Sequence, residues 1–593
     1  MEPIKVTKWK SFRLRDLWGF ILCLSMVLSP TFETQAANKK KVALVMKALT
    51  NPFFSTMESG AKKYAQQENI PLEVFGTERE TDVERQIGIV ENLISRGFGA
   101  IVIAPVDSKK LVPICAKALE KNIAVVNIDN PLHKETMAQQ SLSIPFVGSD
   151  NHTGAKLVGA YIKKKLNGRG RVIIIEGIRG VENADQRKAG FIEAVTRDSE
   201  ISVVATGSAN WHTDEALSLT VDLLRLHGLV DAILCANDKM AIGVLQALDL
   251  MDLTGKVLIG AYDNIEEVRN EMRNGRIHAT VEQHPELMGQ YGVQLAWQAL
   301  NGNKIPKYTS TSLDLVTHET FGKKIALFIS HLENPFFKSL YQSTQAAADL
   351  FGMDLVVSDA QNGDARQLSA MMNTVQAGVS VLVVNPANSH TIVPGIELAN
   401  EKKIPVITVD RKCAGGEIVC HIESDNIKGG KMAGEALVRY LGGQGRIIEI
   451  EGIPGTSAAQ ERGMGFNQVI WEHSQMKVVA RETAHFDRKR ARETMLRLLQ
   501  TGVDFDAVFA HNDNMILGAL EAMESVRYTL PRILIGFDAI REAVRAVEQG
   551  KLTATIAQRP ERMGRLAIQS AARILRGEQL PSEIPVELEL IEK

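Results

Sequence analysis

Twelve residues in the second half of the chain carry side chains suited to recognising a small polar ligand. They are Asn334, Phe336, Phe337, Asn385, Asp410, Arg411, Arg462, Phe486, Asn512, Phe537, Asp538 and Gln558. The set mixes amides, carboxylates, guanidinium groups and aromatic rings, and no nucleophile stands beside a base, so an enzyme is not expected. A neutral polyol needs that mixture. Each hydroxyl donates once and accepts twice; Asp accepts, Arg donates in a planar fork, and Asn or Gln does both. Aromatic faces cover the apolar C–H faces of a sugar ring. Taken singly, each residue also has a plain structural reading. Phe336 and Phe337 fit a core, Asn334 fits a helix cap, Asp410 and Arg411 fit an exposed ion pair, and Asn512-Asp513 and Phe537-Asp538 fit turns. The ligand reading gains weight because such groups follow nearly every strand candidate in both halves of the chain.

The two halves repeat one another. Asn51-Pro52-Phe53-Phe54 recurs as Asn334-Pro335-Phe336-Phe337, Ala236-Asn237-Asp238 as His511-Asn512-Asp513, and Gly260-Ala261-Tyr262-Asp263 as Ile535-Gly536-Phe537-Asp538. The first copy is longer between Asp129 and Asp150 than the second is between Asp410 and Asp425. Each copy far exceeds a solenoid unit of roughly 20 to 50 residues, so the repeat is of whole modules. The first copy keeps Asn51, Phe53, Phe54, Asp129, Arg187, Asn237, Asp263 and Gln283. It changes others: Trp211 stands for Phe486, Asn130 for Arg411, Tyr262 for Phe537 and Ala104 for Asn385, and Lys47, at the position of Ser330, is expected to add a charge near the pocket mouth. The loss of the Arg411 fork predicts that the first module takes a different monosaccharide or polyol from the second, or binds the second module's ligand more weakly.

Short apolar runs alternate with stretches of helical period, which predicts α/β modules with parallel sheets built from βαβ units. Strands are expected at 42–46, 100–104, 124–128, 171–176, 232–236 and 257–260. In the second copy they are expected at 325–329, 381–384, 405–409, 446–451, 507–510 and 532–536. The polar and aromatic residues sit just past these strand ends, where open α/β sheets bind ligands.

At 593 residues the chain is about four times a ~150-residue domain. With 68 Lys+Arg against 70 Asp+Glu it has no basic excess for nucleic acid. Lys5, Lys8, Lys10, Arg13 and Arg15 precede the apolar run Leu17 to Leu28, which is followed by Thr34-Gln35-Ala36-Ala37. The order is that of a secretory signal, and the run is short of the ~20 residues of a membrane-spanning helix. The expected organisation is therefore a cleaved leader over 1–37, one module over 38–318 and a second over 322–593.

The second copy resembles the type I periplasmic sugar-binding proteins along essentially its whole length, through ALFISHLENPFFKSL, PVITVDRK, HIESDN, EGIPGTSAAQERGMGF, AVFAHNDNMILGAL, LIGFDAIRE and LTATIAQRPERMG. The resemblance implies two tandem modules, each of two Rossmann-like lobes joined by three crossings, near Ser424-Asp425, near Gln558 and near the last strand in the second copy. It also implies that Phe337 and Phe486 sandwich a sugar ring, with D-ribose the leading ligand of the second module. Asn334, Asp410, Arg411, Arg462, Asn512, Asp538 and Gln558 would then bond its hydroxyls, while Phe336, Asn385 and Phe537 line the pocket. The implied role is a periplasmic solute-binding protein delivering sugar to the permease of an ABC importer, with a sugar sensor reporting to a chemoreceptor or sensor kinase as the alternative. A DNA-binding repressor of related fold would need a helix-turn-helix where this chain has an export signal.

No cofactor or metal is expected. The thirteen histidines show no metal-ligand spacing, and His284 and His511 are read as polar lining of the pockets. Gly442-Gly443-Gln444-Gly445 precedes a strand, the wrong context for a phosphate cradle. Cys115 and Cys235 are read as core. Cys413 and Cys420 flank Gly415-Gly416, which leaves open a local disulfide across a hairpin or two free thiols.

Overall fold

The computed structural model describes residues 41–528 and 533–593. The expected leader, 1–37, lies outside the described residues. Contacts divide the chain into two units, with the division between Leu315 and Val316.

In unit 1, the runs Val42–Val45 (β1), Leu72–Phe75 (β2), Ala100–Ile103 (β3), Ala124–Ile128 (β4), Phe146–Gly148 (β5) and Tyr308–Ser310 (β11) form one sheet in the order β11-β5-β4-β3-β1-β2. Arg169–Glu176 (β6), Glu200–Ser208 (β7), Ala232–Cys235 (β8), Leu258–Gly260 (β9), Ala279–Glu282 (β10) and Asp314–Thr317 (β12) form a second, β12-β10-β9-β8-β6-β7. Central strands such as β1, β3 and β8 are buried along their whole length. Parallel strands covered by helices on both faces read as continuous apolar runs rather than alternating ones, which is why they were legible in the sequence. The order 2-1-3-4-5 in each lobe is doubly wound, and its ligand crevice lies beyond the strand carboxyl ends.

Unit 2 repeats the plan. One sheet runs β14-β13-β15-β16-β17-β23, from Lys324–Ile329 (β13), Asp354–Asp359 (β14), Val381–Val384 (β15), Val406–Val409 (β16), Cys420–Ser424 (β17) and Glu583–Val586 (β23). The other runs β19-β18-β20-β21-β22-β24, from Gly445–Glu451 (β18), Met476–Thr483 (β19), Ala507–Ala510 (β20), Ile533–Asp538 (β21), Ala554–Ala557 (β22) and Glu589–Glu592 (β24), the last antiparallel to its neighbour. The chain passes between the two sheets after β17, after β22 and between β23 and β24, at the three places the resemblance implied.

Helix starts are built from local chemistry. Asn51 and Asn334 cap helices whose first residue is proline, and Asp150 and Asp425 cap the helices that open the second lobes by accepting from Thr153 N and Lys428 N. Cys413 and Cys420 are free thiols. β16 and β17 pair in parallel, Ile407 beside Cys420, so the segment between them is a connection and not a hairpin. Among the described residues no helix is long and apolar enough to cross a membrane.

Candidate functional site

Each unit holds a cleft at the strand carboxyl ends. In unit 2 it is lined by Asn334, Phe336, Phe337, Asp410, Arg411, Arg462, Phe486, Asn512, Asp538 and Gln558, ten of the twelve expected residues, together with Ala458. Asn385 and Phe537 stand behind this wall. Asn385 is buried and donates to Asp410 Oδ2 at 3.1 Å while accepting from Ser330 N, so it orients the carboxylate. Phe537 is fully buried, with the Arg462 guanidinium 3.9 Å above its ring centre.

The structural readings of single residues prove compatible with a site. Asn334 is a cap, but capping uses only its Oδ1, which accepts from Phe336 N at 3.0 Å. Its amide NH2 remains to donate. Asn512 caps the helix after β20 in the same way through Met515 N. Asp410 and Arg411 are not an exposed pair: both are about 3% exposed, with Nε and Oδ2 3.8 Å apart.

Arg462 is anchored by Asn426 Oδ1 at 2.9 Å and by the His511 carbonyl at 2.6 Å, and lies 3.5 Å from Asp538. Nε and Nη1 are thus used by the protein, which leaves Nη2 for a ligand. Gln558 donates to Asp538 Oδ1 at 2.8 Å. Two buried pocket atoms, Arg411 Nε and Gln558 Oε1, make no hydrogen bond within the protein. Unpaired buried polar groups in a cleft mark where a ligand completes the hydrogen bonding.

Several pocket residues occupy left-handed backbone: Asp410 (φ 65°), Asp538 (φ 112°) and the consecutive His485 and Phe486 (φ 56° and 58°). The same holds for Asp129, Asp263 and the pair Asn210-Trp211 in unit 1. Strain of this kind gathers at sites where side chains must be aimed. The turn after β21 is held by Asp513, which accepts from Ile540 N at 2.8 Å and Thr555 Oγ1 at 2.7 Å.

Burial pushes the Asp538 carboxyl up to about 7, against the pull of Arg462, and burial also raises Asp410. Hydroxyls of a ligand donate to the ionised carboxylate. Protonation as pH falls through 7 therefore removes acceptors, and ligand affinity of unit 2 is expected to fall below neutrality by up to about tenfold per pH unit for each proton taken up. Calorimetric titration across a pH series checks this; flat affinity down to the ordinary carboxylate range would contradict it.

In unit 1 the cleft is lined by Asn51, Phe53, Phe54, Asp129, Arg187, Trp211, Asn237 and Asp263, eight of the eleven expected residues, plus Lys47, Glu80 and Asn183. Asn130, Tyr262 and Gln283 lie behind. Asn130 bonds to Pro105 O and Ser108, Tyr262 lies 3.9 Å beneath Arg187, and Gln283 donates to Asp263 Oδ1 at 2.7 Å. Arg187 repeats the anchoring of Arg462, on Asn151 Oδ1 and the Ala236 carbonyl.

Lys47 is not at the mouth. It is 3% exposed, 2.9 Å from Asp129 Oδ2, with its ammonium 5.3 Å from the Phe54 ring centre. The cation lost when Asn130 replaced Arg411 is thus restored from the end of β1. Glu80 and Asn183 were missed, although residue-by-residue comparison of the two copies exposes both, against Gln361 and Ala458. His284 and His511 are outside both walls. His284 Nε2 lies 2.7 Å from Asp314 Oδ2, and His511 Nε2 lies 3.1 Å from Glu449.

Both units match the periplasmic binding protein domain, over residues 42–304 and 325–579. The chain belongs to that family. Among curated relatives of this tandem periplasmic binding protein, the ribose import binding protein of Haemophilus influenzae is 44% identical over 267 residues, 45% of this chain and 90% of the relative. The D-ribose/D-allose-binding protein of Pseudomonas aeruginosa is 38% identical over 302 residues, 50% of this chain and 94% of the relative. Among solved structures, a periplasmic solute-binding protein from Actinobacillus succinogenes with bound D-allose is 33% identical. It covers 47% of this chain and 98% of its own, with a TM-score of 0.45.

Proposed function

We propose that each unit closes on one monosaccharide-sized polyol, that unit 2 takes D-ribose, and that the protein acts in the periplasm as the solute-binding component of an ABC sugar importer, handing its ligand to the permease. The observation that carries the ribose reading is the unit 2 cleft, whose wall combines Phe337 and Phe486 with Asn, Asp, Arg and Gln side chains and where Arg411 Nε and Gln558 Oε1 make no hydrogen bond within the protein. The similarity to ribose-binding relatives supports the same reading. Charge-assisted hydrogen bonds contribute about 1.5–3 kcal/mol each, so four or five outweigh ordering and desolvation and leave the ~8 kcal/mol of a micromolar complex.

Unit 1 keeps the arginine, the two aspartates and the ring platform, with different neighbours around them, and this supports a different sugar or polyol. Titration calorimetry of the whole chain is expected to show D-ribose binding at micromolar affinity with one site per chain. Tryptophan fluorescence of the chain carrying Trp471→Phe, which removes the tryptophan of unit 2 and leaves Trp211 in the unit 1 cleft, is expected to stay unchanged at ribose concentrations that saturate that site. No heat of ribose binding would overturn the assignment of unit 2, and equal affinity at two sites would overturn the divergence of unit 1.

A further inference from the structure

The unit 1 cleft differs from its sister chiefly in charge and in acceptors. Its wall carries three carboxylates, Glu80, Asp129 and Asp263, against two cations, Lys47 and Arg187. The wall of unit 2 balances Asp410 and Asp538 with Arg411 and Arg462. Position 80 is Glu where unit 2 has the exposed Gln361, and position 183 is Asn where unit 2 has Ala458. Asn51 donates to Glu80 Oε1 at 3.0 Å, which fixes the carboxylate at the cleft wall with Oε2 remaining. Asn183 is 5% exposed, and its Oδ1 has no protein partner. Lys47 and His212 also face Glu80, but the Lys47 ammonium is held on Asp129. Burial holds the Glu80 carboxyl above the usual carboxylate range, the mark of an acid whose charge the protein does not fully compensate.

A neutral polyol leaves that excess negative charge uncompensated. A ligand with one ammonium in place of a hydroxyl neutralises it and supplies donors to acceptors that unit 2 does not have. We infer that unit 1 selects an amine-bearing monosaccharide or polyol, its ammonium seated between Glu80 and the Asn183 carbonyl oxygen. The inference rests on the reading of this cleft as a polyol site and names the class it prefers. Glu80 is then the specificity-determining residue, and its counterpart Gln361 shows what the same position carries in the sister cleft.

The test uses the whole chain with Trp471→Phe, so that tryptophan fluorescence reports unit 1 through Trp211, and calorimetry confirms the affinities. D-glucosamine, D-galactosamine and scyllo-inosamine are each compared with the hydroxyl parent at neutral pH, where the amines are mostly protonated and the cleft carboxyls keep more of their charge than in acid, and N-acetylglucosamine serves as the uncharged nitrogen control. At least one amine is expected to bind about tenfold or more tighter than its parent, with the acetylated form losing the advantage. Glu80→Gln is expected to cut the amine-to-parent affinity ratio by about ten- to a hundredfold, and Asn183→Ala to lower it to a smaller degree. The alanine variant also serves if the glutamine variant fails to fold. Amines binding no tighter than their parents, or a ratio unchanged in the folded variants, overturns the inference and leaves sugar binding by unit 1 standing. Binding of neither amines nor parents overturns the inference and the polyol reading of this cleft together.

Discussion

Replacing Arg462 with alanine is expected to weaken D-ribose binding by about a hundred- to several-thousandfold. The guanidinium joins three elements that meet at the cleft: Asn426 at the start of one helix, the His511 carbonyl after β20, and Asp538 at the end of β21. It also covers the buried Phe537 ring at 3.9 Å. Alanine removes a ligand donor and leaves Asp538 in a buried site without its nearest cation, and breaking a buried charge pair from one side costs about 3–5 kcal/mol. Part of that cost is expected as a lowered melting temperature of unit 2, and calorimetric titration reads the rest as lost affinity. Arg462→Lys keeps the charge without the planar fork, so it is expected to recover folding more than binding. Affinity within threefold of the unmodified protein in the alanine variant would refute the role assigned to this residue.

The second large effect is expected at a residue with no side chain. A Cβ on Gly452 would lie 2.1 Å from the tip of the Phe486 ring, and one on Gly177 would lie 2.2 Å from the Trp211 ring. These glycines end the first strand of each second lobe, and their bare backbone is the surface against which the platform ring rests. Gly452→Ala must push Phe486 toward the space the sugar occupies. A loss of about tenfold or more in ribose affinity is expected, because overpacking of this kind costs about 1–3 kcal/mol. Phe486 is only half-buried, so the ring can yield outward and the melting temperature is expected to change less than the affinity. Unchanged ribose binding in Gly452→Ala would show that the ring is not held this way. Gly177→Ala provides the same comparison in unit 1, followed through Trp211 fluorescence.

Much of the architecture was readable because parallel strands buried on both faces announce themselves as apolar runs. All six strands expected in each copy are present, with edges moved by a residue or two. The strands left unassigned are those at sheet edges or at the crossings. β2, β14 and β19 are partly exposed and alternate or mix polar with apolar residues, and β11, β23 and β24 are short, late and polar. The site was readable because its residues follow the strands that were found. Glu80 escaped because it follows β2, one of the strands that were not. Lys47 was noticed and misplaced: a lysine after a buried strand reads as surface, and only the geometry shows Asp129 drawing it inward. Asn385 and Phe537, with Tyr262 and Gln283, were expected in the clefts; in three dimensions they stand one layer back and hold the residues that face them.

The unpaired atoms of the unit 2 cleft have a consequence for motion. Arg411 Nε and Gln558 Oε1 are buried and make no hydrogen bond within the protein. An unsatisfied buried polar group costs about 1–3 kcal/mol, so on the proposed closing motion the pair would tilt a ligand-free unit toward separated lobes, where water reaches both, by roughly thirty- to twenty-five-thousandfold. A ligand that bonds both atoms removes the same penalty and shifts the population back. If each unit closes on its ligand as proposed, these two atoms, which look like defects of packing, would keep the cleft from shutting on nothing, and a closed cleft would be an occupied one.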